Sequence, residues 1–332
     1  MNAAVTPPLA VEDLTTTFVS RHRRIEVVRG VSFTIGRGET MMLLGESGSG
    51  KSVTARSIMR LYGSGAELGG SVRLSGRELT GLAEAQLRDV RGGQIALVPQ
   101  DPTGALDPLR RIGAQLAETL AVHGVERVKT AARRRAEALL AMVGIPDPKR
   151  VAGSYPHELS GGMRQRAVIA IAVSCDPQVL IADEPTTALD VTVQAQILEL
   201  IADLQQRLGM AVLMVTHDVG VAADFGGRVG VMYAGKLVEE GPAHEVLSAP
   251  RHPYTAGLLN SLPTPGVARG TLHSIVGAPP AVGAFPGGCA FAPRCPQARR
   301  ACTRTDPPLT AVAEDRSAAC PVVNPEPASV VA

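Results

Sequence analysis

A glycine-rich stretch near the N-terminus constrains the fold of this chain more than any other feature; it reads Gly45-Glu46-Ser47-Gly48-Ser49-Gly50-Lys51-Ser52. An apolar run at residues 40–44 precedes it and is typical of a buried strand, and apolar residues recur after it at helical spacing. Glycines let the backbone turn tightly and direct several amide N–H groups at one anion, to which a helix N-terminus adds positive charge. The stretch is therefore predicted to be a P-loop. Lys51 would meet the β- and γ-phosphates of a nucleotide, and the Ser52 hydroxyl would bind Mg²⁺.

The composition limits the number of domains and the kinds of partner that the chain can have. The chain has 332 residues, enough for one large domain and a smaller one, and 45% of them are hydrophobic, with only 3% aromatic and no Trp. A formal net charge of +2 with no basic, aromatic-interleaved stripe offers no argument for binding nucleic acid. The N-terminal residues lack a basic segment followed by an apolar core, so we expect no secretory signal. No apolar run approaches the ~20 residues that span a bilayer, so a membrane role is expected to depend on a protein partner.

Apolar strands alternate with amphipathic helices along most of the chain, which predicts an α/β fold with a largely parallel sheet. Ligands of such sheets bind at the carboxyl ends of the strands. Four predicted sites lie at such ends: the P-loop, Gln100, the pair Asp183-Glu184, and His217. Residues 111–143 are predicted to be a helical insertion, and Leu159–Gln165 a second Gly-containing turn that opens a helix.

The predicted domains are a flexible tail at 1–10, a nucleotide-binding domain at 11–250 with a helical subdomain at about 101–165, and a C-terminal domain at 251–332. Six prolines between 250 and 280 argue against long regular elements there, and composition changes near 245–255.

Each strand-end residue has a predicted role in phosphoryl transfer. Asp183 would hold the hydration shell of Mg²⁺, and Glu184 would polarise the attacking water. Taken alone, Gln100 would be a plain loop amide and His217 a structural histidine. In the context of a P-loop, Gln100 would instead contact Mg²⁺ or that water, and His217 would donate a hydrogen bond to the γ-phosphate. Phe18 is one of few aromatic residues before the P-loop, and could either stack on adenine or pack in the core.

Taken together, these pieces resemble the ATP-binding subunit of an ABC transporter. The resemblance covers roughly residues 11–245 and implies a P-loop NTPase of the ABC type, with a mixed-sheet core, a β-subdomain and a helical subdomain. It makes Gln100 the Q-loop, Leu159–Arg166 the signature motif, Ala188–Asp190 the D-loop and His217 the switch histidine. It implies that five further residues face nucleotide, the signature ones serving the ATP of a second subunit: Ser160, Gly161, Gly162, Gln165 and Asp190.

Three further runs are similar to the oligopeptide/dipeptide importer branch, at residues 184–194, 252–255 and 288–296. The resemblance implies two transmembrane permease subunits, a second ATP-binding subunit that is the same or a similar chain, an extracytoplasmic solute-binding protein acting indirectly, and a place at the cytoplasmic face of the membrane. An importer of nickel or another small solute is the alternative. Soluble ABC proteins of DNA repair or translation fit less well, since they need a long coiled-coil insertion or two cassettes, and an intact Glu184 and His217 argue against a non-catalytic regulator.

Four cysteines cluster late in the chain: Cys289, Cys295, Cys302 and Cys320. Their spacing lacks the paired Cys-x2-Cys of usual zinc sites, so an iron–sulfur cluster, structural zinc, and free or disulfide-bonded thiols all stay open. The resemblance to peptide-importer tails favours a [4Fe–4S] cluster. Because the segment at about 285–322 is poor in aliphatic residues, metal binding is predicted to drive its folding.

Overall fold

We describe a computed structural model of the chain, which covers residues 6–261 and 274–323. Parts of the predicted N-terminal tail (1–5) and C-terminal domain (262–273 and 324–332) lie outside the described residues. The strands are β1 (Leu9–Val19), β2 (Arg24–Ile35), β3 (Thr40–Leu44), β4 (Ala66–Leu74), β5 (Arg77–Glu78), β6 (Ile95–Val98), β7 (Val179–Asp183), β8 (Ala211–Val215), β9 (Arg228–Tyr233), β10 (Lys236–Pro242), β11 (Thr310–Ala313) and β12 (Arg316–Ala318). The helices are α1 (Lys51–Ile58), α2 (Glu84–Val90), α3 (Pro102–Ala105), α4 (Ile112–Val122), α5 (Lys129–Met142), α6 (Pro148–Ala152), α7 (Gly161–Val173), α8 (Val191–Leu208), α9 (Val219–Phe225), α10 (Ala243–Ser248) and α11 (Pro253–Asn260).

The chain forms two compact units. The first comprises Met1–Ala10, Thr34–Thr40 and Arg73–Val215, and the second comprises Val11–Phe33, Met41–Val72 and Thr216–Ala332. Each unit is therefore assembled from segments far apart in sequence.

The first unit contains three parallel strands in the order β6-β7-β8. Every residue of β7 and β8 is buried. This explains why both read as uninterrupted apolar runs, because strands of a parallel sheet are usually covered on both faces. The alternation of helices and strands thus predicted these strands correctly.

The helical insertion of the first unit is divided into two helices where the sequence predicted one helical region. Helix α4 ends at Val122, and Gly124 follows with a left-handed φ of +71°. Glycine adopts this conformation without steric cost and commonly ends helices. Helix α5 then begins at Lys129 and buries one apolar face, which includes Ala136, Leu139 and Leu140.

The second unit carries the P-loop strand. Strand β3 pairs in parallel with β9, with Leu44 opposite Val231. Strand β9 turns through Ala234-Gly235 into antiparallel β10, and β12 and β11 continue this order beyond β10. A second group of strands in this unit has the order β2-β1-β4.

Two sequence predictions are corrected near the N-terminus. Leu9 and Ala10, assigned to a loose tail, begin strand β1, and the Leu9 side chain is fully buried. The short apolar runs at 26–28 and 31–35 predict two separate strands, but they form one strand, β2, in which Gly30 has a φ of +77°. A local irregularity of this kind interrupts the apolar pattern without ending the strand.

Candidate functional site

The P-loop has the backbone that its sequence predicted. Gly45, Gly48 and Gly50 all have positive φ, of +147°, +81° and +104°. A Cβ atom at Gly45 would lie 2.3 Å from the Met232 carbonyl oxygen, whereas one at Gly48 would meet no atom within 4 Å. The loop is thus packed closely against β9 at its start and open at its middle. An open turn of backbone amides at a helix N-terminus is suited to receive a phosphate.

Two side chains of the loop are buried with their polar ends inside it. The Lys51 ammonium donates to the carbonyl oxygens of Gly45, at 2.7 Å, and Glu46, at 3.0 Å. The Ser49 hydroxyl is 5% exposed and has no hydrogen-bond partner among the described residues. A buried hydroxyl without a partner is costly, and a bound phosphate oxygen would supply one. The loop therefore fits a nucleotide.

In the first unit, Glu184 directly follows β7 and lies at the centre of a hydrogen-bonded group. Its Oε2 accepts hydrogen bonds from Gln100 Nε2, at 2.9 Å, and from the Thr187 hydroxyl, at 3.0 Å. Its backbone N–H donates to the Val215 carbonyl, at 2.9 Å, at the end of β8. The structure thus brings together two residues separated by 84 positions, Gln100 and Glu184. Asp183, the last residue of β7, is fully buried.

The predicted signature turn and D-loop are two helix N-termini in the same unit. Ser160 caps α7, with its side chain accepting from the Met163 N–H, and Asp190 caps α8 in the same way, accepting from Val193 N–H. Both caps are exposed, whereas Gln165 is 1% exposed. Gly161 and Gly162 lie against α8 and the turn before it, since Cβ atoms there would meet Leu189 at 3.6 Å and Val193 at 2.8 Å.

His217 and Phe18 belong to the second unit. The Thr216 N–H donates to the Leu43 carbonyl oxygen at 3.1 Å. This hydrogen bond connects the residue before His217 to β3, the strand that leads into the P-loop. His217 is exposed. Phe18 is half-buried, and its ring makes an edge contact with Tyr62, with centroids 4.9 Å apart. Phe18 is thus neither free of neighbours nor fully in the core.

The four late cysteines are all free thiols. Cys302 and Cys320 lie near enough to Cys289 and Cys295 to act on both electrostatically. Cys289, Cys302 and Cys320 are buried, and the Cys289 N–H donates to the Cys302 carbonyl at 2.8 Å. Burial, and secondarily the nearby Cys302 and Cys320, raises the pKa of the Cys289 thiol to about 11. Within the described residues, however, no three His, Cys, Asp or Glu side chains are grouped so that they could hold a metal ion.

Three residues that contact Glu184 or the P-loop were not predicted as site residues from the sequence: Thr187, Tyr254 and Arg294. The Tyr254 hydroxyl accepts the Glu46 N–H at 2.8 Å, and Arg294 binds the Glu46 carboxylate through both terminal nitrogens. The motif His252–Thr255 and the run 288–296 were noted for their resemblance, but nothing in their local pattern indicates a contact with the P-loop.

Several known proteins and protein families are similar to this chain in sequence. Residues 28–187 match the ABC transporter family model, and residues 238–302 match the model of the oligopeptide/dipeptide transporter C-terminal region. An ATP-binding protein of Brucella abortus named for peptide import is 50% identical over 328 residues, covering 95% of this chain and 96% of the relative. The dipeptide transport ATP-binding protein of Bacillus subtilis is 44% identical, covering 94% of this chain and 93% of the relative.

A solved structure of an ATP-binding cassette, dimeric and bound to ADP and phosphate after hydrolysis, is also similar. It has a TM-score of 0.63 and 29% sequence identity, and the match covers 71% of this chain and 98% of that one. The predicted fold, an α/β nucleotide-binding domain of the ABC type, is thereby confirmed. Over the ranges 6–261 and 274–323, no helix is both long and apolar enough to cross a membrane.

Proposed function

Because the chain belongs to the ATP-binding proteins of ABC transporters, we propose that it hydrolyses ATP to power the import of oligopeptides or dipeptides. The ATPase activity follows from family membership, and the peptide substrate is inferred from the names of the relatives and from the C-terminal region. The observation that carries the proposal is the P-loop, whose buried Lys51 and unpartnered Ser49 hydroxyl suit a triphosphate.

In this proposal the chain's own residues divide the work of phosphoryl transfer. The P-loop amides and Lys51 bind the β- and γ-phosphates, while Glu184 accepts a proton from the attacking water. Gln100 and Thr187 both donate to one oxygen of Glu184, which orients the carboxylate. His217 would donate to the γ-phosphate, and Phe18 would stack on the adenine.

Mg²⁺ belongs to this chemistry, and the donor set suits it, because hydroxyl, carboxylate and amide oxygens are hard ligands. Ser52, Asp183 and Gln100 are the residues proposed to hold it. When bound, the ion would neutralise charge on the phosphates.

The signature residues are proposed to complete the site of a second subunit. Ser160, Gly161, Gly162, Gln165 and Asp190 lie at or near the start of two helices, where exposed amides favour an anion. The dimeric cassette that resembles this chain supports such an arrangement. Two transmembrane permeases, a second ATP-binding subunit and, indirectly, a solute-binding protein complete the proposed importer, with this chain at the cytoplasmic face of the membrane.

We further propose a division into domains and a role for the four cysteines. Residues 11–250 would form the ATPase domain, with a helical subdomain at about 101–165, and 251–332 a C-terminal domain.

The four cysteines would bind a [4Fe–4S] cluster, supported by their proximity and by the match to the C-terminal region. Their arrangement does not fit a metal ion as it stands, so cluster binding would require the thiols to move. Iron and zinc analysis of anaerobically purified protein tests this.

The test of the ATPase proposal is Glu184→Gln in the assembled importer. Removing the general base while keeping the phosphate site should leave ATP binding unchanged and slow phosphate release at least about 10²-fold. Lys51→Ala serves as the contrasting variant, because it should weaken ATP binding itself. Hydrolysis by Glu184→Gln at a rate near that of the unmodified protein would reject Glu184 as the base.

A further inference from the structure

Glu46, the second residue of the P-loop, is held at three separate points. Its carbonyl accepts the Lys51 ammonium at 3.0 Å, and its N–H donates to the Tyr254 hydroxyl at 2.8 Å. Its carboxylate receives two hydrogen bonds from Arg294, at 2.7 and 3.1 Å. Tyr254 and Arg294 come from the C-terminal region, and we call this pair of residues on Glu46 the Glu46 clamp.

The clamp residues are themselves firmly placed. Tyr254 is fully buried, and its ring packs against Tyr233 and Phe291 with centroids 4.6 and 5.4 Å apart. The Arg294 side chain is 6% exposed, and its guanidinium lies 5.9 Å from the same two rings. Two parallel hydrogen bonds from a planar guanidinium define the orientation of a carboxylate, which a flexible surface ion pair does not.

Charge gives a second reason for the clamp. Glu46 places a carboxylate on the loop that would receive a triphosphate, and an unpaired negative charge there would repel the ligand. Arg294 neutralises this carboxylate, whose side chain is only 26% exposed. The paired Glu46 can then stay in the loop without lowering its affinity for an anion.

We infer that Tyr254 and Arg294 are positioning residues of the P-loop, through which the C-terminal region sets the affinity of the chain for ATP. This inference rests on the proposed ATPase function. Arg294 lies in the same short turn as Phe291 and directly before Cys295. Because Arg294 binds Glu46, the conformation of this turn and the conformation of the P-loop depend on each other. Because linkage is reciprocal, ATP binding must stabilise the C-terminal turn as much as the turn favours ATP.

The experiment measures the ATP dissociation constant of the full chain by titration, and KM and kcat in the assembled importer. Arg294→Gln leaves the Glu46 charge unpaired, so the dissociation constant and KM should rise about tenfold, with kcat changing less than about twofold. Tyr254→Phe removes only the hydroxyl and should weaken binding by about threefold or more. Adding Glu46→Gln to Arg294→Gln removes the unpaired charge and should recover most of the lost affinity.

A matched control is available in the same region. Asp306 pairs with Arg29 at 3.0 Å and with Lys236 at 2.6 Å, and neither of these cationic partners belongs to the P-loop. The Asp306 side chain is 26% exposed, as is that of Glu46. Asp306→Asn should leave the ATP dissociation constant unchanged. Limited proteolysis gives a second readout: ATP should protect the C-terminal turn in the unmodified protein and not in Arg294→Gln.

Three outcomes would overturn the inference. They are normal ATP affinity in both Arg294→Gln and Tyr254→Phe, failure of Glu46→Gln to restore affinity, and an equal loss of affinity in Asp306→Asn. If Arg294→Gln does not fold, the ATP dissociation constant of Tyr254→Phe decides the question, and its thermal midpoint shows that this variant is folded. Absence of ATP binding by the unmodified chain would instead refute the proposed function, which keeps the two failures distinct.

Discussion

At the scale of single residues, the backbone of Glu184 is the notable case. Its φ is +49°, a conformation that residues with a side chain adopt rarely and at a cost of about 1–3 kcal/mol. The hydrogen bond from its N–H to the Val215 carbonyl holds this conformation, and two donors fix its carboxylate. The turn at Glu184 and these three hydrogen bonds together fix the position of the proposed base.

A single buried side chain, His252, is expected to make the stability of the protein depend on pH. Burial lowers the pKa of His252 to about 4, and its Nδ1 accepts the Tyr254 N–H at the start of α11. The unfolded chain, with a pKa near 6.5, therefore binds one more proton between about pH 6.5 and 4. Stability should fall as the pH is lowered through this interval, by about 1.4 kcal/mol per pH unit from this group.

The variant His252→Asn isolates this effect, because asparagine can still cap the helix but does not titrate. Urea unfolding at pH 7 and pH 5 should show a smaller loss of stability in the variant than in the unmodified chain. An identical pH dependence in both would contradict the assignment.

At the scale of elements, the contact between α7 and α8 determines where the two proposed nucleotide-facing turns lie. Gly162 permits the close approach, since a Cβ there would come within 2.8 Å of Val193 Cγ1. The two N-caps, Ser160 and Asp190, are positioned by this packing. Glycine here serves helix packing, in addition to any role of its backbone in binding.

Gly162→Ala is therefore expected to lower the free energy of unfolding by about 1–3 kcal/mol through overpacking. Adding Val193→Ala should remove the clash and restore much of that loss. Gly161→Ala is the matched control, because its Cβ would contact Leu189 at an ordinary 3.6 Å, and it should leave stability unchanged or slightly higher. Urea denaturation measures all four proteins, and equal effects of the two alanines would rule out the packing explanation.

At the scale of the whole molecule, the proposed mechanism needs more than one chain. A P-loop without an opposing signature turn lacks part of its site, so the isolated chain should hydrolyse ATP poorly. Activity should rise when permeases and a partner ATP-binding subunit are co-expressed. Phosphate release measured on dilute protein, with its mass checked by light scattering, tests this, and full activity of a monomer would refute the two-subunit site.

Whether a feature could be predicted from the sequence depends on how far apart along the chain its interacting residues lie. The P-loop and the buried strands were predictable because strand and helix periods and glycine conformations act within a few residues. The strand-end positions of Gln100 and Glu184 were likewise predictable from the rule for parallel sheets. Their hydrogen bond was not, since it depends on the turn that gives Glu184 its positive φ.

What the sequence alone determined is therefore the fold class and the local chemistry of a nucleotide site. The tertiary structure alone decided which distant side chains hold that site. Tyr254 and Arg294 lie 208 and 248 positions from Glu46, and no local pattern signals either contact. Such contacts are set by the packing of the aromatic residues Tyr233, Tyr254 and Phe291 into one buried cluster, because burial in a close-packed interior selects side-chain positions that no short window of sequence encodes.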